Sequence, residues 1–67
     1  MKTDINYQNI AKLLYKMGYK SKKEYMVVVA PLTNKKKAEA MIYFLTSNPN
    51  AKFQEIVDKS LEIAGKD

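Results

Sequence analysis

The sequence has no cysteine and no histidine, so it cannot form disulfides or the usual thiolate and imidazole metal sites. Histidine is also the side chain most used for general acid–base work, and its absence weakens any catalytic reading. Arginine is missing too. All twelve basic residues are lysines, so there is no planar fork for bidentate recognition of guanine or phosphate. The two glycines, Gly18 and Gly65, stand alone, and no glycine-rich loop can cradle a phosphate. No stretch approaches the roughly 18 apolar residues of a membrane span, and Met1-Lys2-Thr3-Asp4 does not open a signal-peptide apolar core. No membrane contact and a cytoplasmic location are therefore expected.

What is present must fold near the lower size limit. The 67 residues suffice for one small domain, 1–67, stabilised by helix packing or by self-association. Charge is distributed unevenly. Residues 1–37 hold nine lysines against Asp4 and Glu24, a balance of +7, whereas residues 38–67 hold three lysines against five acids, a balance of −2. Such a dipolar chain offers one face to phosphates or acidic proteins. Lysine in place of arginine, with abundant asparagine and isoleucine, is also what AT-rich coding produces. A merely solvated lysine surface is thus the competing reading of the same residues.

The spacing of Tyr7, Ile10, Leu14 and Met17 predicts a helix over 4–17, capped by Thr3 or Asp4 and stopped by Gly18. Asn48-Pro49 reads as N-cap and first helical residue of a last helix running to 64. Its expected stripe is Phe53, Ile56, Val57, Leu61 and Ala64, with a Glu55–Lys59 pair outside it. Between them lie two apolar runs, Tyr25 to Ala30 and Met41 to Leu45. Ser21 and Glu24 have capping-box spacing and favour a helix over 22–30, but three successive valines favour a strand. A helix is expected over 34–47, where Lys37-Ala38-Glu39-Ala40-Met41 is built from strong helix formers, with Thr33 or Asn34 as cap and Lys35, Lys36 and Lys37 set against the helix dipole. The preferred fold is all-α, a small four-helix domain with Leu14, Val28, Ile42, Leu45, Ile56 and Leu61 in the core. The alternatives are α+β, αββα with a central hairpin, and strand pairing between two molecules.

Three functional readings follow. Catalysis is not expected, because the carboxylates Glu55, Asp58 and Glu62 belong to a wet helix face and no base accompanies the hydroxyls. No cofactor and no metal are expected. The leading reading is a non-enzymatic regulator, inhibitor or adaptor that binds a protein through an apolar central surface with a lysine-rich rim, as chains encoded by phage and other mobile elements often do. Met26, Tyr43 and Phe44 would form that interface, and a homodimer is expected because two amphipathic helices cannot cover both central runs. The alternative is weakly selective nucleic-acid binding by the mixed rings and ammonium groups of Tyr15, Lys16, Tyr19, Lys20, Lys22 and Lys23, with Lys35, Lys36 and Lys37 adding to the patch.

One phrase, Ile42 to Pro49 followed by Glu55-Ile56, resembles the opening of a winged-helix or helix-turn-helix domain, where an apolar helix, an Asn-Pro turn and a Glu-Ile helix precede the recognition helix. The resemblance covers residues 42–56 and is not followed by a recognition helix or wing before Asp67. Helix–Pro–helix punctuation accounts for it equally, and the family is not assigned.

Overall fold

A computed structural model describes residues 5–66, which form four helices: α1 (Ile5–Lys16), α2 (Lys22–Val29), α3 (Lys35–Ser47) and α4 (Phe53–Ala64). The all-α reading holds, and no strand occurs among the described residues. The expected caps at Thr3 or Asp4 lie outside them. The radius of gyration, 10.7 Å, matches the value of about 11 Å expected when a chain of this length packs around one core.

Local chemistry accounts for the helix boundaries. At the end of α1, Gly18 adopts φ +100°, which leaves the Tyr19 amide to donate to the Leu14 carbonyl (2.9 Å) and the Gly18 amide to donate to that of Tyr15 (3.1 Å). This is the two-bond Schellman closure, and only glycine enters that backbone region without strain. The Ser21–Glu24 capping box then starts α2. Ser21 Oγ accepts from the Lys23 amide (3.1 Å), and the Glu24 carboxylate accepts from the Ser21 amide (3.2 Å). With that start and Pro31 beyond the end, the valines are held helical despite their strand preference. Asn34 Oδ1 caps α3 through the Lys37 amide at 3.0 Å.

The start of α4 differs from the expected one. Asn48 ends α3 instead of capping α4, its backbone and side-chain N–H groups both donating to the Phe44 carbonyl at 2.9 Å. Pro49 lies in the turn that follows, and α4 begins four residues later at Phe53. There the Glu55 carboxylate accepts from the Lys52 amide at 2.8 Å. That engagement also explains why the expected Glu55–Lys59 pair is absent. Lys59 instead meets Glu62 at 3.3 Å.

α3 packs on both α1 and α4, while α2 packs on α4 and more lightly on α1. The core comprises Ile10, Leu14, Val28, Leu32, Ala38, Met41, Leu45, Ile56 and Ile63. Two expected members fall outside it. Ile42 is half-buried, and Leu61 is 57 % exposed. The cause is helical phase: α4 buries Ile56, Ser60 and Ile63, spaced four and three residues apart, and this turns Leu61 outward. Leu32 is buried although it follows Pro31 in a connector, and its carbonyl accepts a hydrogen bond from the Tyr7 hydroxyl.

Two consequences for stability can be measured by urea denaturation. Ile56→Ala removes a fully buried side chain and should cost about 2–5 kcal/mol, whereas Leu61→Ala should change stability by only about 0.5 kcal/mol. Ser60 Oγ is fully buried and has no hydrogen-bond partner among the described residues. Ser60→Ala removes that unsatisfied hydroxyl and improves helix propensity, so it should stabilise the chain by about 1 kcal/mol. A decrease in stability would show that the hydroxyl has a partner in solution.

Candidate interaction surfaces

Two surfaces stand out, on opposite grounds: one for charge and one for shape. The first covers the outer side of α1, the connector to α2 and the first turn of α2. Lys12, Lys16, Lys20, Lys22 and Lys23 are all exposed there, as is Tyr15 at 60 %. The Lys20 ammonium lies 5.0 Å from the centre of the Tyr15 ring, a cation–π contact that any base stacking on Tyr15 would have to share. Tyr19 does not belong to this surface in the way the sequence suggested. Its hydroxyl donates to the Ala51 carbonyl at 3.1 Å, and its ring meets Phe53 at 5.4 Å between centres. It therefore joins the α1–α2 connector to the start of α4.

The second surface is a groove between α3 and α4. Its main section encloses about 590 Å³ and is walled by Lys36, Ala40, Tyr43 and Phe44 on one side and by Lys59, Ile63 and Lys66 on the other. A second section continues past Phe44, Ser47, Asn48 and Lys59 to Glu55 and Glu62. Tyr43 is the most exposed large apolar side chain described, at 76 %. Phe44 is half-buried against the core, and the Lys59 ammonium lies 5.6 Å from its ring centre. Met26, 51 % exposed on α2, does not line the groove, so the three side chains expected to form one interface are not gathered there.

The lysine triplet divides by role. Lys37 Nζ donates to the Ala64 carbonyl at 2.8 Å, placing its charge on the negative C-terminal end of α4. Lys36 lines the groove, and Lys35 and Lys36 make no hydrogen bond or ion pair among the described residues. Sequence reasoning did not foresee the parts played by Lys59, Ile63 and Lys66. Their only signal is the seven-residue interval between Lys59 on α4 and Lys66 just beyond its end, with Ile63 between them, which becomes a groove wall once α3 lies alongside.

Each carboxylate of α4 has a structural task. Glu55 caps the helix, Asp58 accepts from Gln54 at 2.9 Å, and Glu62 meets Lys59 at 3.3 Å and Lys66 at 3.9 Å. Among the described residues no group of three or more acidic, histidine or cysteine side chains could hold a metal ion, and no helix is long and apolar enough to cross a membrane. Compared with protein-family models, with curated proteins and with solved structures, the chain matches none.

One titration is distinctive. Burial pushes the Tyr25 phenol above its ordinary value, and the neighbouring Tyr7 phenol adds to the rise. The folded chain thus keeps Tyr25 protonated to higher pH than the unfolded chain does. This contribution to stability is fully present below the unfolded value of about 10 and is lost as pH rises through the folded value. Urea midpoints followed from about pH 8 to about pH 11 should fall, and the fall should be shallower in Tyr25→Phe. Equal slopes would show that Tyr25 does not contribute.

Proposed function

We propose that this chain is a non-enzymatic binding protein, a regulator, inhibitor or adaptor that acts by occupying a protein partner through the α3–α4 groove. The observation that carries the reading is Tyr43. It is large, aromatic and 76 % exposed, beside the half-buried ring of Phe44 in a concave, lysine-rimmed surface. Interface centres are enriched in aromatic side chains of this kind, flanked by a polar rim.

Self-association through the same surface remains a proposal with a weaker motive than the sequence suggested. Val28, Met41 and Leu45 are buried, and Val29 and Ile42 are half-buried, so intramolecular packing covers much of the two central runs. A charge of +5 on each copy also opposes pairing at long range. A photo-crosslinking benzophenone side chain in place of Tyr43, irradiated in the producing cell, tests the reading directly. Adducts with another protein or with a second copy are expected there, and not from the same group placed at Lys12. Absence of protein adducts at position 43 would sink the proposal.

A second reading, nucleic-acid binding, is favoured by five exposed lysines on α1, the connector and the first turn of α2, one of which, Lys20, lies over the exposed Tyr15 ring. Without arginine it would be electrostatic and sequence-tolerant. If Lys16, Lys20, Lys22 and Lys23 each neutralise one phosphate, affinity should fall about 50- to 150-fold between about 50 and 200 mM salt. Fluorescence anisotropy with a labelled oligonucleotide measures that slope. Binding that ignores salt, or that survives replacement of the four lysines by glutamine, would remove this reading.

A further inference from the structure

We infer that the α3–α4 groove receives an acidic amphipathic helix from another protein, with its apolar side on Tyr43, Phe44 and Ile63 and its carboxylates beside Lys36 and Lys66. The inference deepens the protein-binding reading and rests on it.

Backbone chemistry selects a helix. Both walls of the groove are helices, whose backbone groups are already hydrogen-bonded, and no sheet edge exists among the described residues for an extended segment to join. An extended segment pressed on an apolar floor would leave its own amide groups unpaired, at considerable cost. A helix arrives with those groups satisfied. From Lys36 to Ser47 the α3 wall runs about 16 Å, or three turns, enough for anchors at i, i+3 or i+4, and i+7. Ala40 in mid-wall is small enough to let a second helix come close.

Charge selects acidity. Among the described residues, the main section of the groove is lined by Lys36, Lys37, Lys59 and Lys66 and by no carboxylate. Glu62, in the adjoining section, partly offsets Lys59 and Lys66, but Lys36 has no such partner among the described residues. Lys36 also lies in the first turn of α3, which contains no acid, so it is set against the positive end of the helix dipole. The free chain carries this as an unfavourable local field. A partner carboxylate beside Lys36 would relieve it. A second copy fits less well, because it brings the same positive charge to the same end.

The test uses two synthetic helical peptides of about 18 residues, long enough to be partly helical alone. They share leucine and phenylalanine anchors and carry either glutamate or lysine on the flanks. Amide shifts of the full chain map the site by NMR, and anisotropy gives affinity. The glutamate peptide should shift Lys36, Tyr43, Phe44 and Ile63 and should bind at least about tenfold more tightly than the lysine peptide. Lys36→Glu should weaken that binding about tenfold while raising the thermal midpoint of the free chain, a pairing that simple misfolding cannot imitate. Tyr43→Glu, at an exposed position, should abolish binding with helicity retained. Equal affinity for the two peptides, or shifts confined to other surfaces, would overturn the acidic helix. So would a wild-type chain that sediments as a dimer dissociated by Tyr43→Glu, since a second copy would then fill the groove while the protein-binding reading survived. Loss of protein cross-links at position 43 would overturn that reading itself.

Discussion

Ala38, Met41 and Leu45, spaced three and four residues apart, lose essentially all their exposure where α3 lies against α1 and α4. The remaining structure depends on that burial. α1 and α4 each have one strongly buried stripe, Ile10 with Leu14 and Ile56 with Ile63, and α3 packs against both helices. α2 is a different kind of element. It has eight residues and one fully buried side chain, too little to stand alone as a helix. Its place comes from the capping box at one end and from contacts with α1 and α4. The tyrosines reinforce this arrangement across the connectors, Tyr7 through the Leu32 carbonyl and Tyr19 through that of Ala51.

Features written in adjacent residues were legible in the sequence. The left-handed glycine after α1, the Ser21–Glu24 box and the Asn34 cap each follow from side-chain or backbone chemistry within three or four positions. The valine run was ambiguous because it is apolar on every side, so no periodicity separates strand from helix. Asn48-Pro49 misled for a related reason. Asparagine serves either end of a helix, and its choice depends on how many residues the chain needs to reverse before α4 meets α3 and Tyr19. Leu61 was placed in the core as part of the stripe Phe53, Ile56, Val57, Leu61 and Ala64. Packing instead chose the phase that buries Ile56 and Ile63 and accepts a serine between them, because that face of α4 points at the core.

The groove was legible only in halves. Tyr43 and Phe44 were visible as large side chains surplus to the Met41–Leu45 face. Their opposite wall comes from α4, and no spacing within one segment encodes which lysines will lie across a groove. The same holds for Lys37. Within α3 it opposes the dipole, yet across the fold its ammonium donates to the Ala64 carbonyl at the end of α4 and complements that helix instead.

That contrast bears on how the basic residues should be understood. If lysine enrichment were only a coding bias, the triplet would share one fate and gather on open surface. Instead Lys37 is committed to α4, while Lys35 and Lys36 have no partner among the described residues, and Lys36 lies at the mouth of an apolar groove. An acid in the first turn of α3 would stabilise the helix by a few tenths of a kcal/mol or more. The free chain forgoes this where Lys36 and Lys37 line the groove, and of the two only Lys37 has a partner among the described residues. Proteins often carry local unfavourable features where a contact is to be made, because the partner then supplies the missing counter-charge. On the reading proposed above, a partner carboxylate would supply the counter-charge that Lys36 lacks among the described residues, and the electrostatics of the chain would act on the α3–α4 surface through that side chain more than through net charge.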